Sequence, residues 1–575
     1  MNRLAALPGL ALTLQLATAA PFEVDTHRID AAFAAYVTQG SPGCAVGVLL
    51  EGGIVYAKGY GLASLEHGVP ITPETVFDLG STSKQITAAA IGLLALDGRL
   101  SLDDDVRKTL PEVPDYGTVI TIRHLLTHIS GLRDYTDLLF LIGKREEDVT
   151  TKADAFVILA RQRSLNFRPG AEYRYSNTGF FLASVIVERI SGKTLREFAR
   201  ERIFQPLGMT RTQFLDDHTQ VVPGRATGYA PRDGGGFKVA MSNWEQAGDG
   251  SVQSSVADLA RWAENFDTGK VGGRKLTDLL ESPGRLLDGT PLHYGLGLAL
   301  DEHRGQRLIS HGGSWAGYRA MLMCFPAQRL AVATLCNIGT ADTTTLSLAA
   351  ADAALDALGV PGGAPAPGQA PATPAAGARG RDWMTHLAGV YVNEHLGEVV
   401  RITTAEGRLR LSGLGTSSDL FPEGGGRFKT LDGNPQFGTA DDRIRVRFER
   451  EGSRMMLTSR RLGPRPEAFV RADEASAPAR QASAEDLIGG YGSPDLGATL
   501  TVAIKDGAPV LRLPTGDESN LVRISPDLYE TEFGLVRFAR DQQARVTSLV
   551  LTNRGLAGLV LSRDARPEGP RSGGV

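Results

Sequence analysis

The apolar positions of this chain change texture near residue 360. Before it, strand-like and helix-like runs alternate; after it, short strands of period two dominate. Gly43–Leu50 and Ile54–Tyr60 are two such strand runs, and Glu51-Gly52-Gly53 between them predicts a hairpin. A helix from about Asp25 to Val37 is expected before it. Val76-Phe77-Asp78-Leu79 is extended and the chain turns at Gly80. Gln85–Leu96 is then apolar on every side, which predicts a buried helix starting near Ser81 and ending at Asp97-Gly98. Thr121–His128 reads as a short helix, and Phe180–Ile190, Leu195–Phe204 and Val256–Phe266 as longer ones. Pro231–Gly250 is glycine-rich and polar and reads as a mobile loop anchored by Trp244. Tyr294–Leu300, Arg307–His311, Tyr318–Phe325 and Leu330–Asn337 are four expected strands, closed by a helix over Ala341–Leu358. Strands at both ends with helices between them predict an α+β unit, one antiparallel sheet flanked by helices plus a helical part.

The second half is built differently. Pro361–Gly380 is a Pro/Ala/Gly linker without core-forming residues, and Ala475–Ser483 is a second, shorter one. In Arg443–Arg450, Ile444, Val446 and Phe448 share one face and arginines the other. The two segments after the linkers are copies. Leu387-Ala-Gly-Val-Tyr391 recurs as Leu487-Ile-Gly-Gly-Tyr491, Glu406-Gly407 as Asp506-Gly507, Val446–Arg450 as Val536–Arg540, and Leu457–Arg460 as Leu551–Arg554. The offset shrinks along the copy, so the second has lost a loop. A small closed antiparallel barrel would remove the edges of each. The expected organisation is a first unit over 20–359, a linker over 360–381, barrels over 382–474 and 484–566, and the short linker 475–483 between them.

Composition narrows the function classes. At 575 residues the chain carries about two to four domains. The net charge of −4 comes with no basic block, which argues against nucleic acid or an anionic membrane as partner. Met1–Ala19 has the shape of an export signal: Arg3, an apolar stretch from Leu4 to Leu16, and Ala17-Thr18-Ala19 as a cleavage site. No later run is long enough to span a bilayer, so a periplasmic or secreted protein without a membrane span is expected. Cys44, Cys324 and Cys336 each lie in an apolar strand-like run and read as small core residues rather than a disulfide framework. His124 and His128 have zinc-like spacing, but Leu125 stands where a metalloprotease needs glutamate. Both are read as structural, and no metal or cofactor is expected. The sequence leaves a homodimer open.

Three segments carry chemistry. Ser81 and Lys84 are three apart, which puts them on one helix face with Cβ atoms roughly 5–6 Å apart. An ammonium held in an apolar site titrates below its free value and becomes a serine-activating base. Tyr175-Ser176-Asn177 supplies a phenol that is either partly ionised beside the lysine or relays a proton to the leaving group. Asn177 can hold a substrate amide or the lysine. His311-Gly312-Gly313-Ser314 is expected at the end of a strand, where the glycines let a substrate backbone approach. The Ser314 amide then joins the Ser81 amide as a two-donor oxyanion hole. Ser314 itself is not the expected nucleophile, because Ala316 breaks the G-x-S-x-G pattern.

In this order the three motifs resemble the penicillin-recognising serine hydrolases: class C β-lactamases, D-alanyl-D-alanine carboxypeptidases and related esterases. The resemblance covers about Asp25 to Leu358. With two strand-rich copies added, the architecture is similar to the three-domain D-aminopeptidases of that family, as are Ser130–Tyr135, Ala247-Gly-Asp249 and His311-Gly-Gly313. The resemblance implies a β-lactamase-like domain followed by two eight-stranded barrels. It implies an acyl-enzyme on Ser81, proton work shared by Lys84 and Tyr175, His311 on the substrate side, and a pocket shaped by a loop of the last barrel. The chain departs at Glu530–Gly534, a short connection expected not to reach the cleft, whereas Asp432–Asp442 in the first copy is long. The expected substrates are small amides or esters, short peptides with an N-terminal D-residue first among them. An esterase, weak β-lactamase or carboxypeptidase is the alternative within enzymes. A non-catalytic binder of peptidoglycan fragments is the alternative outside them.

Overall fold

The computed structural model describes residues 22–37, 40–361, 382–405, 407–414, 416–424, 427–430, 444–449, 453–458, 463–472 and 483–564. The expected export signal, nearly all of the long linker, positions 475–482 of the short one and the connection 432–442 lie outside these residues.

Six strands form one antiparallel sheet: β1 Cys44–Leu50, β2 Gly53–Tyr60, β3 Ala299–His303, β4 Gln306–Trp315, β5 Tyr318–Phe325 and β6 Leu330–Cys336. Their order is β3-β4-β5-β6-β1-β2, so the N-terminal hairpin docks on the C-terminal strands through β1 against β6. The helices that matter are α1 Thr26–Ala32, α2 Lys84–Leu96, α3 Tyr135–Leu141, α4 Asn177–Ser191, α5 Val256–Thr268 and α6 Thr343–Ala357. Cys44, Val46 and Val48 of β1 pack with α1 and α6; Ala45 and Leu49 face the other core, with α2 and α5. Two covered faces explain why β1 is apolar at nearly every position.

The expected elements are present with informative shifts. Ser81 precedes α2, in the 3-10 turn Gly80–Ser83, and Lys84 to Leu94 are all buried. Helix α4 begins at Asn177 rather than Phe180, and Leu195–Ala199 runs on through a π turn to Leu207. Tyr294 to Leu298 is not strand; its carbonyls and amides instead pair with Gly284 and Leu280, and strand starts at Ala299. His311 lies inside β4, which continues to Trp315.

One cysteine reading is corrected. Cys44 and Cys336 stand opposite each other in the β1–β6 register and form a disulfide, with only Cys324 free and buried. Composition hid this because the two residues are 292 positions apart. In the chain-entropy picture a bridge across so long a loop restricts the unfolded state strongly. Replacing both cysteines by alanine is expected to lower stability by about 2–4 kcal/mol, read as a shift of the urea midpoint.

Eight strands from Gly389–Asn393 to Glu467–Arg471 close into a barrel. The second copy makes a nine-stranded sheet from Gly489–Ser493 to Leu559–Arg563, whose two edges, Glu518–Asn520 and Val522–Ser525, are split at Leu521. It is therefore nearly closed, with one strand more than the resemblance implied. The repeated Leu-x-Gly-x-Tyr has one job in both: the Tyr391 hydroxyl donates to the Leu387 carbonyl at 2.9 Å and that of Tyr491 to Leu487 at 2.7 Å.

Candidate active site

The turn Gly80–Ser83 presents Ser81, and the first residue of α2 presents a fully buried lysine. Lys84 Nζ donates to Ser81 Oγ at 3.0 Å, to Asn177 Oδ1 at 2.8 Å and to the Asp249 carbonyl at 2.6 Å. An ammonium has three N–H bonds, so all are used and the amine has one orientation. Burial lowers Lys84 from 10.5 to about 8, against the opposing pull of Asp249 and Asp134. Asn177 thus holds the lysine through Oδ1 and also borders the cavity. Its own backbone N–H donates to Asp134 Oδ2 and its Nδ2 to Thr136 Oγ1 at 3.3 Å.

Tyr175 lies just before α4, with Lys84 Nζ 4.9 Å from its ring centroid and its hydroxyl buried on the Ser81 side. Burial drives this phenol well above 10, so it stays neutral. Of the two routes open from sequence, ionisation or relay, burial favours relay. His128 supports the ring from behind: the two centroids are 4.1 Å apart, and Nδ1 accepts the Ser176 N–H at 3.1 Å. Burial, then Lys84 and His311, hold His128 well below its ordinary value. His124 accepts the Thr121 N–H in a helix-capping box. Both histidines are structural.

His311 enters from β4. Its Nε2 is 2.9 Å from the Tyr294 hydroxyl and its Nδ1 2.6 Å from the Gly312 carbonyl. Burial, reinforced by Lys84, lowers it to about 3, so the imidazole is neutral at any working pH. Strand β4 and the serine turn lie backbone against backbone. A Cβ on Gly313 would stand 1.8 Å from the Leu79 oxygen, and one on Gly80, whose φ is +49°, 2.8 Å from the Ser314 nitrogen. Thr82 Oγ1 clamps the pair by donating to the His311 carbonyl at 3.1 Å. Gly312 and Ser314 border the cavity; Gly313 is absent from its lining and serves this approach instead.

The cavity holds about 290 Å³. Ser81, Tyr175 and His311 open into it, and Tyr173, Trp244, Tyr294 and Trp315 make its walls largely aromatic. The stretch read as a mobile loop thus supplies a buried wall: Trp244 packs on Trp315 and its Nε1 donates to the Arg145 carbonyl at 2.7 Å. Both barrels contribute, the first through Gly463-Pro464 and the second through Arg554-Gly555. The second copy therefore does reach the cleft, by the connection between its last two strands rather than by Glu530–Gly534. Glu530 instead pairs with Arg401 of the first barrel. The reaching loop is pinned where it lands: the Gly555 carbonyl accepts the Asp134 N–H at 3.0 Å and Asn166 Nδ2 at 2.8 Å. Buried Arg133 pairs with Asp495 of the same barrel at 2.9 Å. Sequence reasoning gave no role to Asp134, Asp249 or Tyr294, although Arg133-Asp134-Tyr135 and Gly248-Asp249 lie in stretches it singled out.

The beta-lactamase family model matches residues 29–357. The D-aminopeptidase of Brucella melitensis biotype 2 is 29% identical over 472 residues, 81% of this chain and 82% of that one. The D-aminopeptidase of Gluconobacter oxydans is 31% identical over 387 residues, 67% of this chain and 69% of that one. Among solved structures, the octameric penicillin-binding protein homologue from Pyrococcus abyssi superposes with a TM-score of 0.53 at 24% identity, covering 77% of this chain and all of that one. SurE does so with a TM-score of 0.50 at 25% identity, covering 78% and 99%. The matched family spans all three segments that converge on the serine, and the chain belongs to the beta-lactamase family as one of its serine hydrolases.

Proposed function

We propose that Ser81 is the nucleophile of an acyl transfer to water, and that small amides or esters, N-terminal D-residues of short peptides or amides first among them, are the substrates. The observation that carries this is the fixed amine: Lys84 has one hydrogen-bonding arrangement, and it includes Ser81 Oγ. In its amine form Lys84 takes the Ser81 proton as Oγ attacks the carbonyl. Lys84 returns that proton through the Tyr175 hydroxyl, which donates its own to the leaving nitrogen or oxygen and stays neutral, and the acyl-ester remains on Ser81. Water then attacks with the same groups in reversed roles. The Ser81 and Ser314 amides receive the developing oxyanion, one such donor being worth about 2.7–4 kcal/mol of barrier. His311, neutral and tied to Tyr294, lines the substrate side. The relatives' activity and the short, barrel-roofed cavity support the D-aminopeptidase-like preference. Side-by-side rates on D-alanine p-nitroanilide, p-nitrophenyl acetate and a chromogenic cephalosporin test it. Turnover of the acetate or cephalosporin alone would assign an esterase or β-lactamase, and turnover of none would leave the non-catalytic binder.

The lysine sets the pH dependence. Protonated Lys84 cannot accept the Ser81 proton, so kcat/KM is expected to fall about tenfold per pH unit below a midpoint near 8. A profile flat from pH 6 to 9 would remove Lys84 as the base.

We further propose export to an oxidising compartment. The Cys44–Cys336 bridge suits the periplasm or an extracellular site and not a reducing cytosol. N-terminal sequencing of periplasmic material would find a start near residue 20.

A further inference from the structure

Two costs fall on one buried residue behind the tyrosine. His128 has a φ of +58°, in the left-handed region that a residue other than glycine seldom adopts. Its Nδ1 accepts the Ser176 N–H, so the proton of the neutral ring is on Nε2, and Nε2 has no hydrogen-bond partner among the described residues. The rings of Tyr173, Tyr175, Phe180 and Tyr294 surround the imidazole, with centroids 4.1 to 6.0 Å away. A leucine or phenylalanine would fill that cage without stranding a donor. Backbone strain and an unpaired buried donor persist where the surrounding structure has a use for them.

The use is visible in what His128 holds. Its carbonyl accepts the Arg174 N–H at 2.9 Å and its Nδ1 accepts the Ser176 N–H at 3.1 Å. Those two peptide groups lie on either side of Tyr175, whose ring rests on the same imidazole. One residue thus grips the tyrosine before it, after it and on its face. The next residue, Asn177, begins α4 and holds Lys84, so the grip falls directly beside the base. We infer that His128 is the positioning residue of the proton relay: by fixing the peptide on both sides of Tyr175 and backing its ring, it keeps the phenol where it can pass the proton of Lys84 to the leaving group. His128 is absent from the cavity lining and so acts through Tyr175, not on the substrate. Burial, then Lys84 and His311, keep the imidazole neutral, and a proton on Nδ1 would cost it the Ser176 N–H. The inference rests on the serine-hydrolase reading of the site.

The test uses one acyl group with two leaving groups. D-alaninamide releases ammonia, which needs a proton to leave; D-alanine thiobenzyl ester releases a thiolate, which does not. The ratio of kcat/KM for amide over thioester is expected to fall at least about tenfold in His128→Ala, as a displaced acid group forfeits part of the roughly 10²–10⁴-fold it can supply. His128→Asn, which keeps an acceptor for Ser176 and suits the left-handed backbone, is expected to recover at least about threefold of that loss. In a Tyr175→Phe background, His128→Ala is expected to move the ratio no further, because the hydroxyl it serves is gone. A ratio that holds in His128→Ala, whether both substrates slow together or neither does, would make His128 a packing residue and overturn the inference. So would a further fall in the Tyr175→Phe background, or an asparagine variant no better than alanine. A wild type that turns over the thioester alone has no relay to position, which overturns the inference and leaves the hydrolase reading standing. A wild type inert towards both substrates takes down that reading and the inference with it. Should the alanine variant fold poorly, ¹⁵N-histidine spectra of wild type decide, with His128→Asn identifying the signal. A neutral ring protonated on Nε2 is expected from pH 6 to 9, and a ring protonated on Nδ1 would overturn the assignment.

Discussion

Ser81→Ala is expected to lose at least about 10⁴-fold in kcat on every acyl substrate, the size of effect seen when a nucleophile is removed from a hydrolase. The protein should stay folded. Ser81 is only half-buried at the cavity mouth, and the lost hydrogen bond from Lys84 is worth about 1 kcal/mol. A β-lactam or fluorophosphonate probe is expected to add one acyl or phosphonyl mass to wild type at Ser81 and none to the variant. The comparison is sharp because Ser314 also borders the cavity. Label retained in Ser81→Ala, or turnover within tenfold of wild type, would put the chemistry on another hydroxyl and undo the role given to Lys84.

What the sequence revealed and what it hid divide along a physical line. The buried serine–lysine helix start was legible because an all-apolar run with one lysine admits few environments. The strand alternation and the internal copy announced the barrels, and the Leu-x-Gly-x-Tyr repeat survives because each tyrosine closes onto the same carbonyl. Pairings between distant residues were not legible. Cys44 and Cys336 each read as core because both are core; only the β1–β6 register brings them together. Gly313 looked like a substrate-facing glycine because its neighbours are; the alternation of β4 turns it onto Leu79 instead. The connection by which the second barrel reaches the cleft was not identified, since loop length says how far a loop can reach and not where its barrel is docked. Asp495 on Arg133 and Gly555 on Asp134 decide that docking, across more than 350 residues of chain.

That docking feeds into the base. From the second barrel, Gly555 accepts from the Asp134 amide, Asp134 accepts from the Asn177 amide, and Asn177 accepts from Lys84, which donates to Ser81. The barrel is thus joined to the nucleophile by a continuous run of hydrogen bonds, and the lysine is where the run ends.

Lys84→Met is accordingly expected to cost about 10³–10⁴-fold in kcat/KM, at the upper end of what one acid–base group supplies. Two opposing terms decide whether that loss is chemical or merely unfolding. Lowering the lysine from 10.5 to about 8 corresponds to roughly 3 kcal/mol by which the fold disfavours its charge, and methionine relieves this. Against it, Asn177 Oδ1 and the Asp249 carbonyl lose their donor, at about 1–3 kcal/mol each. The terms nearly cancel, so the variant should unfold within a few degrees of wild type while its activity collapses. Its residual rate should also lose the limb near pH 8, because the group that titrates there is gone. Residual activity that kept the limb would assign the titration to another group, and with it the base. A variant that was inactive because it no longer folded would instead show the three acceptors around Nζ to be the stronger term, making the lysine a keystone of the fold before it is a catalyst.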